Sequence, residues 1–411
     1  MSVPRIVGIH ATPIALEDPP LLNAWGVHEP EALRIVVELL ADDGSTGLGE
    51  CQGGSIALQR LLHVAPLATG LRIDDAAGLE RIVRNAFHGQ GERAILTVLA
   101  PLETAALDAE GRYRGIPCTE LLGGRRRDRV GFAGYLFYKW PGHPDASGIL
   151  RDDEWGEAAD AEGVVRQARE LQRRYGFESW KLKGGVFPPA VEREALEGLA
   201  REFPQAPLRW DPNCAWTVPT ARDTIRATAD LLEYLEDPVG DLDGMAALRD
   251  EGMPLASNML VATEREFEEA DEKAAVDVLL VDHHYWGGMR RAVRAADRAH
   301  EHGWRVSMHS NSHVGISLAA MSHVAAAIAA DPLAGDTHYP WTAGSDVVAS
   351  GVALRDGGVE LGDAPGLGVD LDRDALAAGH ERYLRAGRTR RDDTGYMRRR
   401  HPDFRAELPR W

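Results

Sequence analysis

Cysteine is scarce: 411 residues contain only Cys51, Cys118 and Cys214. The number is odd and no CxxC spacing occurs, which argues against a disulfide framework. A reducing, cytoplasmic compartment fits that usage. No run of about 18 apolar residues exists, so no membrane-spanning helix is expected. His10 and Pro13 interrupt the first apolar stretch, and no secretory leader is expected. Basic charge is in deficit, with 46 Lys and Arg against 64 Asp and Glu and a formal charge of −18. Such a surface disfavours nucleic acid or an anionic membrane as the main partner. It leaves the local charge of a site open. There is no Walker motif and no Gly-x-Ser-x-Gly elbow. Gly47-Leu48-Gly49, near Gly53, matches a nucleotide loop only loosely, because it follows a hairpin and lacks the third glycine spacing.

What remains is an ordinary soluble composition, 44% apolar and 27% charged, long enough for one large domain or two. The first third reads as α+β. Arg5 to Ile9 and Leu33 to Leu40 have strand character, and Asp42-Asp43-Gly44-Ser45 makes a hairpin turn. Three helical stretches follow. The clearest carries Ile95, Val98, Leu99, Leu102 and Ala106 at helical spacing, with Pro101 as a possible kink.

From about Val130 short apolar runs alternate with amphipathic segments. The runs are 131–137, 179–183, 208–211, 235–236, 255–258, 278–282 and 306–309. One helix between them places Val164, Val165, Ala168 and Leu171 on one face and stops at Gly176. Repeated βα units imply a parallel sheet, and seven or eight units in roughly 250 residues point to a closed α/β barrel. A doubly wound open sheet is the competing architecture. The arginine-rich end, including Arg398-Arg399-Arg400, reads as a solvated tail or a strap over another domain.

The informative feature is where polar residues fall. Successive strands end in Lys183, Asp211, Glu236, Asn258, Asp282 and His309, at gaps of 28, 25, 22, 24 and 27 residues. That is one βα unit per step, and in a parallel barrel all such ends converge at one mouth. Asp211, Glu236 and Asn258 form an oxygen-only donor set suited to Mg²⁺. Taken singly, Asp211-Pro212 and Glu236-Asp237-Pro238 could equally begin loops. Lys181 and Lys183, two apart on a strand, face one side. Their mutual repulsion would let one act as a base while the other stays charged. Asp282 on one nitrogen of His309 would fix the tautomer and raise the basicity of the other. His283, His284 and His313 lie close enough in sequence to compete for that role.

These residues resemble the enolase superfamily and, within it, the glucarate dehydratase group. The matching runs are Lys181-Leu182-Lys183-Gly184-Gly185-Val186, Asp211-Pro212-Asn213, Glu236-Asp237-Pro238, Ser257-Asn258-Met259 and His309-Ser310-Asn311-Ser312-His313. The resemblance implies a modified (β/α) TIM-type barrel with an α+β N-terminal capping domain. The implied division is a cap over 1–127, a barrel over 128–370 and a segment, 371–411, returning to the cap. It implies Mg²⁺ on Asp211, Glu236 and Asn258, and a catalytic set of Lys183, His309, Asp282, Lys181 and Asn213. Asn23, His28, Tyr135, Asn311, Asp336 and Arg391 match the group's substrate contacts. The expected activity is dehydration of an aldarate such as glucarate or idarate, with epimerisation, dehydration of a different acid sugar, or a non-catalytic metal-binding paralogue as alternatives. A homo-oligomer is expected on the same ground. The chain is shorter than the group before the helix near Glu92 and between Pro238 and Asn258.

Overall fold

The structure, a computed structural model, describes residues 2–145 and 147–411. Near the N-terminus β1 (Ile6–Glu17), β2 (Glu31–Ala41) and β3 (Thr46–Gln52) form an antiparallel sheet with β2 in the centre. The β2–β3 turn falls on Asp42 to Ser45. Gly44 takes φ 87°, and the Asp43 carboxylate accepts the Ser45 amide at 2.9 Å. Helices α1 (Ser55–Val64), α2 (Ala76–Ala86) and α3 (Glu92–Arg114) cover this sheet. Its core joins Ile35, Val37 and Leu39 of β2 to Leu79, Val83, Leu96, Leu99 and Leu102 of the helices. The helix runs on through Pro101. The nearby glycines serve close packing, not phosphate. A Cβ on Gly47 would lie 1.9 Å from the Ala105 carbonyl, and one on Gly49 2.1 Å from that of Pro101.

The expected strands form in order, each hydrogen-bonded in parallel to the next. They are β4 (Arg129–Phe137), β5 (Trp180–Lys183), β6 (Leu208–Asp211), β7 (Tyr234–Glu236), β8 (Leu255–Ser257), β9 (Val278–Val281) and β10 (Arg305–Met308). An eighth, β11 (Gly335–Thr337), pairs in parallel with β4 and closes the ring. The Leu333 amide bonds the Val306 carbonyl at 2.8 Å and ties it to β10. Closure rules out the open doubly wound sheet. The barrel strands are buried on both faces, as parallel strands under helices must be.

Helix α4 (Ala161–Tyr175) shows how the helices are delimited. Asp160 caps it through the Gly163 amide at 2.8 Å, and Gly176 ends it with φ 72°. Helix α5 (Gly315–Ala327) is buried all round. At the end of the chain α6 (Arg373–Ala386) lies on β1, where His380 bonds the Pro13 carbonyl at 2.7 Å. Helix α7 (Asp393–Arg398) packs on a small hairpin, Leu22–Asn23 against Gly26–Val27. The final residues reach the barrel: the Trp411 carbonyl accepts the Thr217 amide at 2.7 Å. The C-terminal stretch is therefore a strap over both layers. Among the described residues no helix is long and apolar enough to cross a membrane.

Candidate active site

All six strand-end residues gather at the C-terminal mouth of the barrel, where β4, β5 and their neighbours run out under the N-terminal layer. Beneath them, two residues before Lys183 on the same strand, lies Lys181. Its ammonium is fully buried, touches the Glu236 and Asp336 carboxylates and lies 3.6 Å from Asp211. Burial works against its charge, but Asp336 and Glu236 more than offset that and hold its pKa well above the usual lysine value. Lys181 is thus a fixed cation, and the pair repulsion inferred from sequence does not govern it. Lys183 sits one layer higher, faces the cavity and bonds Asp211 at 2.7 Å. Both ammonium groups stand over the Tyr135 ring, at 4.8 and 5.9 Å. The Tyr135 hydroxyl donates to Asp211 at 3.2 Å.

Asp211, Glu236 and Asn258 end or follow the three adjacent strands β6, β7 and β8. The Asn258 side-chain amide donates to Glu236 Oε1, and the other oxygen, Oε2, touches the Lys181 ammonium. Burial first, and Asp211 second, push the Glu236 carboxyl up to about 7. Asp211 moves the other way: burial opposes its charge, but Lys183 and Lys181 hold it low. Two buried carboxylates and an amide, converging from three adjacent strands as an oxygen-only donor set, are a fit for a hard divalent cation.

The backbone below them is strained. Asn213, Cys214 and Asp237 have φ of 58°, 62° and 39°, values most non-glycine residues avoid. Asn213 donates its amide to Asp211 at 3.0 Å, and its side chain lines the cavity. Asp237 accepts the Ser257 hydroxyl at 2.6 Å and the Asn258 and Met259 amides at 3.0 and 2.9 Å. It therefore fixes the turn that presents Asn258.

Across the mouth His309 follows β10, with Nδ1 2.9 Å from Asp282. Burial opposes its charge, but Asp336 and Asp282 outweigh that and raise its pKa. His313 is turned away onto the Val314 carbonyl and Thr337.

Asn23, His28, Tyr135, Asn311 and Arg391 all line the same cavity of about 470 Å³. Asn23 and His28 are buried there, not exposed on a loop. Asn23 and Arg391 meet on Asp393, at 2.8 Å and in a bidentate pair of 2.7 and 2.6 Å. Asp336 differs: it lies beneath the floor, with its oxygens on Lys181 and the Ser310 amide, and does not line the cavity. Sequence reasoning missed His338, which lines the cavity, stacks on His28 at 5.6 Å and lies 3.8 Å from Asp18. Its signal was available, since it directly follows β11 as His309 follows β10.

Among the described residues two other groups bring metal-type donor atoms within 4.8 Å of one another: Asp18, His28 and His338, and Asp282, His283 and His284. Pairing inside each group, His28 on Asp18 at 3.0 Å and His284 on Asp282 at 2.8 Å, accounts for them. The rim carries Lys183, His28, His309, His338 and Arg391, so an acidic chain has built a mouth rich in cationic and imidazole groups.

Comparison with known proteins agrees with this architecture. Residues 163–375 match the family model described as enolase C-terminal domain-like. A probable glucarate dehydratase of Streptomyces coelicolor is 45% identical, over 99% of each chain. An enolase from Thermobispora bispora, solved with magnesium and formate, superposes at a TM-score of 0.96 with 47% identity over 99% of this chain and 100% of the other. One from Pseudomonas fluorescens, solved with magnesium, potassium and tartrate, gives 0.96 and 40% over the whole of both chains. With the barrel closed, the oxygen donors on three neighbouring strands and the match end to end, the chain belongs to the enolase superfamily.

Proposed function

We propose that this enzyme is a Mg²⁺-dependent acid-sugar dehydratase acting on an aldarate such as a glucarate or idarate. The observation that carries the reading is a proton carrier on each side of one cavity. Lys183 comes from β5 and His309 follows β10, and both line the same mouth beside Asp211 and Glu236. Asp211, Glu236 and Asn258 would hold the cation, which when bound supplies a Lewis acid for the substrate carboxylate. Lys183 or His309, according to the configuration at the α-carbon, removes the proton there. Lys181, held charged beneath them, stabilises the negative charge that develops on the carboxylate. Asp336 keeps Lys181 in place and touches no substrate. His309 then donates its proton to the departing β-hydroxyl. Asn213 steadies Asp211. Asn23, His28, Asn311 and Arg391 bind the rest of the acid, with Tyr135 beside the metal carboxylates. The end-to-end likeness to a probable glucarate dehydratase and to an enolase bound to tartrate supports an acid sugar as substrate.

With this goes a division into a cap over 1–127, a barrel over 128–370 and a returning segment over 371–411. The strap contacts of α6 and α7 support it. A homo-oligomer in a reducing cytoplasm completes the reading, and three free, buried thiols favour that compartment.

The test is incubation with Mg²⁺ and a panel of aldarates in heavy water, followed by proton NMR. Loss of substrate with a new deoxy methylene signal is the expected result. Two opposed bases could also move a proton across the α-carbon, so deuterium uptake without loss of water would favour epimerisation. No change across the panel would count against the substrate class.

A further inference from the structure

Asp282 follows β9 and caps the short helix His283–Trp286 by accepting the His284 amide at 2.8 Å. That turn folds the His284 ring back, and its Nδ1 lies 2.8 Å from the same Asp282 oxygen. The other Asp282 oxygen takes His309 Nδ1 at 2.9 Å. One buried carboxylate therefore serves two imidazoles.

The far side of His284 fixes its tautomer. Its Nε2 lies 3.0 Å from the Ser317 hydroxyl and 3.4 Å from an Arg34 nitrogen. Arginine only donates, and Arg34 is itself locked to buried Glu50 at 2.7 Å. An unprotonated Nε2 is what this neighbourhood accepts, so the ring proton sits on Nδ1 and points at Asp282. His283 adds no donor: its Nδ1 is 4.0 Å from Asp282 and unpartnered, and burial, reinforced by His284, keeps it neutral. The groups facing His309 are Asp282, Asp336 and Lys181, with the Tyr285 ring stacked at 5.9 Å.

We infer that His284 is a positioning residue for His309, sharing Asp282 with it and setting how strongly that carboxylate holds the His309 proton. The inference rests on the reading of His309 as a proton carrier. Each N–H given to a carboxylate drains charge from it. Without His284, Asp282 pulls harder on the His309 proton, and the base is blocked up to a higher pH. The acid limb of α-proton exchange then moves up by roughly half to one pH unit, and turnover falls about tenfold as the ring loses its fixed orientation.

The experiment compares His284→Phe, which removes the donor, with His284→Asn, whose amide can replace Nδ1. Deuterium exchange of the aldarate epimer whose α-proton faces His309 is followed against pH with Mg²⁺ present. The expected result is a raised limb in the first variant and a limb restored toward wild type in the second. Nitrogen-15 and proton NMR of unaltered protein gives a second reading that does not depend on a variant folding. Two hydrogen-bonded Nδ1–H imidazole resonances, on His309 and His284, are expected. A single one, or His284 protonated on Nε2, overturns the inference. An unmoved limb in His284→Phe, with exchange by His309→Asn abolished, sinks the inference alone. Full exchange in His309→Asn removes the reading of His309 and this inference with it.

Discussion

Replacing Lys181 by Met deletes the ammonium that touches both the Glu236 and Asp336 carboxylates. Met keeps the apolar stem and stops one atom short of the ammonium position, so the loss is chiefly charge and hydrogen bonding. Removing one partner of a fully buried pair costs about 3–5 kcal/mol, because the remaining charge is left without compensation. Here three acids, Asp211, Glu236 and Asp336, share the loss, which argues for the upper end. Proton uptake by Glu236, already held near 7 in the intact site, relieves part of it, so the deficit should shrink as pH falls from 8 to 5. The assay is urea unfolding of metal-free wild type and variant at both pH values. A fall of about 3 kcal/mol or more at pH 8, narrowing at pH 5, is expected. A variant within about 1 kcal/mol of wild type at pH 8 would refute the account of Lys181 as the counter-charge of the floor.

Lys183→Met and His309→Asn should each lower dehydration about 100-fold or more, read from initial rates; full activity in either removes that residue as a proton carrier. Metal-free wild type should lose stability as pH rises from about 5 to 8. The Glu236 carboxyl, raised to about 7 in the folded chain, binds its proton more tightly there than in the unfolded one, and that advantage disappears above 7. Its size is roughly 2–3 kcal/mol, and Mg²⁺ should flatten the slope in thermal scans by occupying the site. Glu192 and Asp108, raised by burial to about 7 and about 6, add a slope that the metal does not touch, so the test is the difference: a slope that Mg²⁺ leaves wholly unchanged would contradict the donor set. Gly47→Ala should destabilise by at least about 1–3 kcal/mol in urea, since its Cβ would meet the Ala105 backbone at 1.9 Å; an unchanged midpoint would contradict the close β3–α3 packing.

The barrel was legible because its strands are buried on both faces and stand out as apolar runs, and because each run ends on a polar residue. Sequence spacing gives the order of such residues around a ring but not their depth. Lys181 and Lys183 differ by one layer, and that layer separates a permanently charged group from one open to the cavity. Asp336, matched to a substrate contact by resemblance, lies under the floor instead. The histidines show the same limit: periodicity selects His309, but only a tight turn after β9 brings His284 onto the same carboxylate. Asn23 and Arg391 had no local signal, because they meet on Asp393 only where the end of the chain, 370 residues beyond Asn23, returns to the cavity; His28 is held by Asp18. Most of the working geometry therefore rests on turns that local propensity disfavours. Positive φ at Asn213 and Cys214 is held in place because the Asp211 side chain accepts the Asn213 amide and the Asp237 carbonyl accepts that of Cys214. The Asp211 carboxylate, one of the donors set for a cation, is also what holds the Asn213 bend beside it, so its ligand geometry and that local strain cannot be altered separately.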